Sequence, residues 1–274
     1  MAMPTVGQAA STSAMMANSL VFEFPLSERV RTWLRLEEQF MRCRNFAARR
    51  DPLDHRLALI SLFELIETAT RSDVKTDLLQ ELDRQRAMWT TQSSNPDIEG
   101  SALVEFLHDL DIAIGDLHAQ VGRPGHHLRD MDWLAQLRQR AASPGGACEF
   151  ELPMLGAWLA QPESERKANL REWTQPVAPL EEATSLALRL LRGSGPASRE
   201  IALQGSFQRT LDGGRVPLLA IVSVEPQLQV VPELSANRHA ISIRWMEHGG
   251  RFTQSGRAPS TCRDIPFQLT LCRL

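Results

Sequence analysis

The chain contains no tyrosine, and aromatic residues make up only 6% of it. Proteins that hold single-stranded nucleic acid stack bases on aromatics set among basic residues, so this scarcity weighs against that class. Lysine is nearly missing as well: of 30 basic residues, only Lys75 and Lys167 are lysines. Basic recognition must therefore run through arginine, whose planar fork suits bidentate contact with carboxylates. The four cysteines, Cys43, Cys148, Cys262 and Cys272, form no C-x-x-C pair. That spacing suggests no zinc cluster and fits reduced thiols, with a Cys262–Cys272 disulfide left open. Residues 1–19 carry no charge. They lack the basic start and continuous apolar core of a secretory signal and read as a disordered tail. No apolar run approaches the about 18 residues that a membrane helix requires, so a soluble, cytoplasmic protein is expected. G-x-S-x-G, P-loop and G-x-G-x-x-G patterns are all missing, and with them the usual signatures of hydrolases and of phosphate or dinucleotide binding.

What is present is an ordinary globular composition: 274 residues, 43% hydrophobic and 23% charged, with a formal net charge of −3. The charge is uneven. Residues 197–274 hold nine arginines against six acids, a balance of +3, and the remainder holds 21 basic residues against 27 acids, a balance of −6. The C-terminal part is the better candidate for an anionic partner.

Val21–Phe24 alternates and stops at Pro25, as a strand does. Ser27 is placed to cap a helix with apolar residues near one face, Val30, Trp33, Leu34 and Phe40 among them, running to about Arg49. Asp51-Pro52 opens a second helix that is apolar on more than one face between Leu57 and Ile66. Such a helix is central or covered by another subunit, and it is a candidate for part of a dimer face. Further helical patterns follow from Ser72, from Asn95-Pro96, over 129–141, and over 153–161, 163–174 and 179–192. Cys148–Leu152 alternates and ends at Pro153, which predicts a second short strand. From Ser198 the period changes to two. Ile201, Leu203, Phe207 and Leu211 are expected on one face. Leu218–Val224, Ile241–Trp245 and Phe267–Leu271 read as strands, and Asp212-Gly213-Gly214 as a turn. The fold class is therefore α+β. A tail over 1–19 precedes a mainly helical domain over 20–195 and a β domain over 196–274. The strands at 21–24 and 148–152 are expected to join the C-terminal sheet.

His118, His126 and His127 cluster near Asp111, Asp116 and Asp130. They lack the i, i+4 spacing of a helical metal site, so no metal or cofactor is expected. Carboxylates such as Glu37, Glu38, Glu64 and Glu67 sit on helices among arginines, where i, i+4 pairing accounts for them, and no catalytic residue is assigned. The arginines remain: Arg29, Arg31 and Arg35 on the first helix, Arg129, Arg138 and Arg140 near the fifth, and Arg238, Arg244, Arg251, Arg257 and Arg263 on the β part. A short peptide with carboxylates fits them; a nucleic acid is the alternative.

Four segments resemble the ZapD family of division proteins: FEFPLSERVRTWLRLE (22–37), DVKTDLLQELDRQ (73–85), LRQRAASPGGACEFELPMLGAWL (137–159) and ISIRWM (241–246). The third is the most specific, since turn, strand and Trp-containing helix recur in one order. The resemblance implies a helical domain beside a β domain, a homodimer formed through the helices, and no enzymatic activity. It further implies binding to the C-terminal tail of FtsZ, with filament bundling at the division ring. Neither membrane nor nucleic acid is an implied partner. Carried over position by position, the tail-contacting residues are Arg244, Arg238 and Arg129. Ala240 and Gly156 stand where the family pattern has an arginine and a histidine. The runner-up reading is a basic-surface nucleic-acid-binding adaptor.

Overall fold

The computed structural model describes residues 19–71, 73–91, 100–120, 122–128, 131–141, 143, 148–211, 216–249 and 259–274. Two compact units emerge: Met1–Arg31 with Arg189–Leu274, and Thr32–Leu188. Both boundaries fall inside helices rather than in linkers. The elements confirm the α+β class. They are β1 (Leu20–Pro25), α1 (Glu28–Ala48), α2 (Pro52–Arg71), α3 (Val74–Thr91), α4 (Gly100–Ala119), α5 (Asp132–Ala141), α6 (Pro153–Leu159), α7 (Glu163–Thr174), α8 (Ala178–Arg192), β2 (Ala197–Ala202), β3 (Ser206–Thr210), β4 (Leu219–Val224), β5 (Val230–Ala236), β6 (Ala240–Glu247) and β7 (Ile265–Cys272).

In the first unit, β1 does join the C-terminal sheet. It pairs antiparallel with β4 in the register Phe22↔Val222. The four-stranded sheet runs β1–β4–β7–β2 and the three-stranded sheet β3–β6–β5. Their inward residues form one apolar cluster that includes Val222, Ile241, Ile243, Trp245, Phe267 and Leu269. Phe267 packs edge-on against Phe207 at 5.1 Å and against Trp245 at 5.4 Å, the offset geometry aromatic quadrupoles favour. Arg192 anchors β1 through a bidentate pair with Glu23, both contacts 2.7 Å.

The stretch from 198 differs from expectation. Ile201 and Leu203 are 57% and 65% exposed, whereas Phe207 and Leu211 pack on the core. The cause is a corner. Gln204 (φ 49) and Gly205 (φ 73) break the strand, so the chain leaves one sheet at Ala202 and enters the other at Ser206, and the alternation restarts. A side chain at Gly205 would place its Cβ 2.3 Å from the Thr261 carbonyl oxygen. The strand β5 had no counterpart in the sequence reading. It contains Pro232, opposite Trp245, which its edge position tolerates. The turn expected at 212–214 lies outside the described residues, as do the tail over residues 1–18, Ser72 and Asn95-Pro96.

In the second unit, Asp51 caps α2 by accepting from the Leu53 amide at 2.8 Å, with Pro52 in the first turn. Most of the apolar excess of α2 is buried within its own unit: Leu59, Leu62, Phe63, Leu65 and Ile66 are buried, and α3, α5, α6 and α7 pack around it. Leu53 and Leu57 at its start stay 51% and 40% exposed.

The segment 148–152 is a turn, not a strand. The Cys148 carbonyl accepts from the amides of Glu151 (3.1 Å) and Leu152 (3.2 Å), which closes the backbone just before Pro153 starts α6. Only Leu152 points inward, and Phe150 is 83% exposed. Beside it, Trp133, Trp158 and Trp173 form a mutual cluster with centroids 5.5–6.0 Å apart. Buried Arg166 donates to His55 Nδ1 (2.9 Å) and to the carbonyls of Leu159 (3.1 Å) and Arg50 (2.9 Å). His55 Nε2 lies 2.8 Å from the Arg49 carbonyl, so the ring takes the neutral tautomer that accepts at Nδ1 and donates at Nε2.

Candidate partner-binding site

The arginines of the β-rich unit divide by what holds them. Arg209 is bound to Glu200 and to Ser198 (3.3 Å). Arg263 donates to Glu247 at 3.0 Å and to the Leu228 carbonyl at 3.1 Å. Hydrogen bonds from Thr261 and then Arg263 hold the Glu247 carboxyl below its ordinary range. These guanidiniums serve the fold. Arg238 and Arg244 are exposed, and among the described residues neither takes part in an ion pair.

Arg244 is placed by strand alternation. On β6, Ile241, Ile243 and Trp245 turn inward and are buried, which sends Ser242 and Arg244 to the outer face. There Arg244 is flanked by Ser206 of β3 and Glu233 of β5, its two register partners. Two residues before it on this face Ser242 has Gln208 and Ser235 as partners, and two residues after it Met246 has Val231. An exposed strand face bearing a guanidinium suits an extended anionic segment better than a buried small molecule.

Arg238 is placed by a turn. Asn237 Oδ1 accepts from the amides of His239 (2.8 Å) and Ala240 (2.9 Å), an Asx turn joining β5 to β6. The Arg238 Nε donates to His239 Nε2 at 2.8 Å, which orients the guanidinium. From Ala240 to Arg244 the strand rises about 14 Å, at ~3.4 Å per residue, so β6 separates the turn bearing Arg238 from Arg244.

The third predicted residue, Arg129, lies outside the described residues, as do Arg251 and Arg257. Of the helical arginines, Arg31 is bound to Glu28 at 3.2 Å and Arg140 to Glu151. His127 Nε2 lies 2.9 Å from the Trp173 carbonyl, a structural contact. Among the described residues, no group of three or more His, Cys, Asp or Glu is arranged to hold a metal ion. All four cysteines are free. Burial pushes the Cys43 and Cys272 thiols up to about 12, far from nucleophilic thiolates at neutral pH. No helix among the described residues is long and apolar enough to cross a membrane.

Against this geometry stands one comparison. The model of the family described as ZapD, a cell division protein, matches residues 34–244. The match includes Arg238 and Arg244 and spans most of the chain.

Proposed function

The chain belongs to the ZapD family of cell division proteins, and from that premise we propose that it binds the C-terminal tail of FtsZ and, as a homodimer, cross-links FtsZ filaments. In this reading it works in the cytoplasm at the midcell division ring, promotes ring assembly, and performs no catalysis. The observation that carries the reading is the pair Arg238 and Arg244. Both are exposed, and both stand apart from the ion pairs that occupy Arg209 and Arg263.

The energetics suit a cross-linker. One exposed arginine–carboxylate contact is worth ~1 kcal/mol or less, so each tail binds weakly. A dimer offers two sites and a filament offers many tails, so effective concentration raises avidity by ~10² to 10⁴.

Sedimentation of FtsZ polymers with this protein, using FtsZ with and without its C-terminal tail, tests the reading. Co-pelleting that depends on the tail is expected. Equal pelleting of both, or of neither, would overturn it. The +3 balance of residues 197–274 favours a nucleic-acid adaptor as the second reading. A mobility shift with random-sequence DNA at physiological salt distinguishes the two, and no shift is expected.

A further inference from the structure

Beside Arg238 the β-rich unit has an open groove that no local sequence pattern signals. Its volume is about 460 Å³. Phe24 at the end of β1, Leu26 just after it, Leu234 of β5 and Leu211 line it. Arg31 and Arg238 also line it, with no aspartate or glutamate among the described lining residues. At its lip Val216 is 53% exposed.

The groove thus combines two arginines, of which Arg31 is already paired with Glu28, with an apolar floor. Arg31 is held in place: its Nε donates to Glu28 Oε2 at 3.2 Å and its Nη2 to the Pro25 carbonyl at 3.4 Å. Arg238 is oriented by His239. Guanidiniums fixed before binding lose little freedom on contact, which favours a partner that brings the complementary charge. The floor has partly covered leucines and one phenylalanine in place of exposed aromatic faces, so it offers an apolar side chain a place to bury and gives a nucleobase no stacking platform.

We propose that this groove takes an aliphatic side chain of an acidic peptide, with Arg31 and Arg238 holding carboxylates that flank that side chain. The proposal rests on the tail-binding reading and deepens it. The groove adjoins the turn bearing Arg238, and β6 begins directly after that turn and carries Arg244. The partner is then read by an apolar anchor as well as by charge, and Arg31 joins the binding residues.

The test uses fluorescence anisotropy with the full chain and two synthetic acidic peptides of equal length and charge. One carries a leucine between its acidic residues and the other a serine there. An FtsZ C-terminal tail peptide is titrated in parallel. The wild-type protein should bind the leucine peptide about tenfold more tightly than the serine peptide, the difference expected for burying one such side chain. Val216→Asp should erase that preference. Arg31→Ala should weaken both peptides by about twofold to fivefold. Both substitutions alter partly exposed side chains, and matching melting curves establish that the variants fold. Equal binding of the two peptides by wild type, or wild-type behaviour of both variants, overturns the groove. If the groove fails while Arg244→Glu still weakens the FtsZ tail, the tail reading survives without it. If the synthetic leucine peptide binds as expected and the FtsZ tail does not, the groove stands and the FtsZ reading falls.

Discussion

At Arg244 the sheet sets a guanidinium opposite a carboxylate, Glu233 of the neighbouring strand. Opposite charges facing each other across strands contribute ~0.2–1 kcal/mol. Here that attraction also competes with any carboxylate an arriving peptide brings. The two residues should therefore respond in opposite directions. Arg244→Glu replaces attraction with repulsion and should weaken binding of an FtsZ tail peptide about tenfold, roughly twice one exposed contact in free energy. Glu233→Gln should strengthen it by up to about fivefold. Anisotropy titrations at one salt concentration would measure both, and unchanged affinity in Arg244→Glu would remove that residue from the site. This much was legible in the sequence, because alternation along ISIRWM sets Arg244 opposite in direction to Ile243 and Trp245. The role of Arg31 was not legible. Its groove draws on β1, the first turn of α1, the chain on either side of 212–215, β5 and the turn after it, and no local pattern connects those stretches.

The elements show where periodicity informs and where it misleads. VFEF and CEFEL look alike in sequence, each alternating and each ending at a proline. β1 finds β4 as a partner along its whole length, whereas 148–152 closes on itself through the Cys148 carbonyl. Pairing, which a short segment cannot encode by itself, decides between strand and turn. The β2–β3 region failed for a different reason. Its alternation runs through a corner that inverts it, and nothing in the residue type of Gln204 signals a positive φ. β5 was hidden by Pro232, a residue that argues against a central strand but not against an edge one. The corner itself is testable. Gly205→Ala puts a Cβ against the Thr261 carbonyl, at 2.3 Å in the present geometry, with φ at +73°. Strain and contact together should lower stability by ~2 kcal/mol or more, read as a shifted midpoint in urea. A loss of under ~1 kcal/mol would mean that the segment around Thr261 gives way without cost.

For the whole molecule, the proposed function requires weak contacts to bridge filaments. The net charge of −3 conceals a C-terminal segment at +3, and interactions between exposed charges are screened over ~8 Å at physiological ionic strength. Each tail contact should therefore weaken as salt rises. Bridging two filaments needs two such contacts at once, so its strength scales as the product of two single-site affinities and one effective concentration. The salt dependence of bundling should accordingly be about twice as steep, on logarithmic axes, as that of a single tail peptide. Light scattering of FtsZ polymers and anisotropy of the peptide, followed over the same salt series, give the two slopes. Equal slopes would mean that one contact per filament pair limits bundling, against the two-site dimer. Bundling that ignores salt while peptide binding declines would mean that filaments are joined by an apolar surface, leaving Arg238 and Arg244 outside the cross-link.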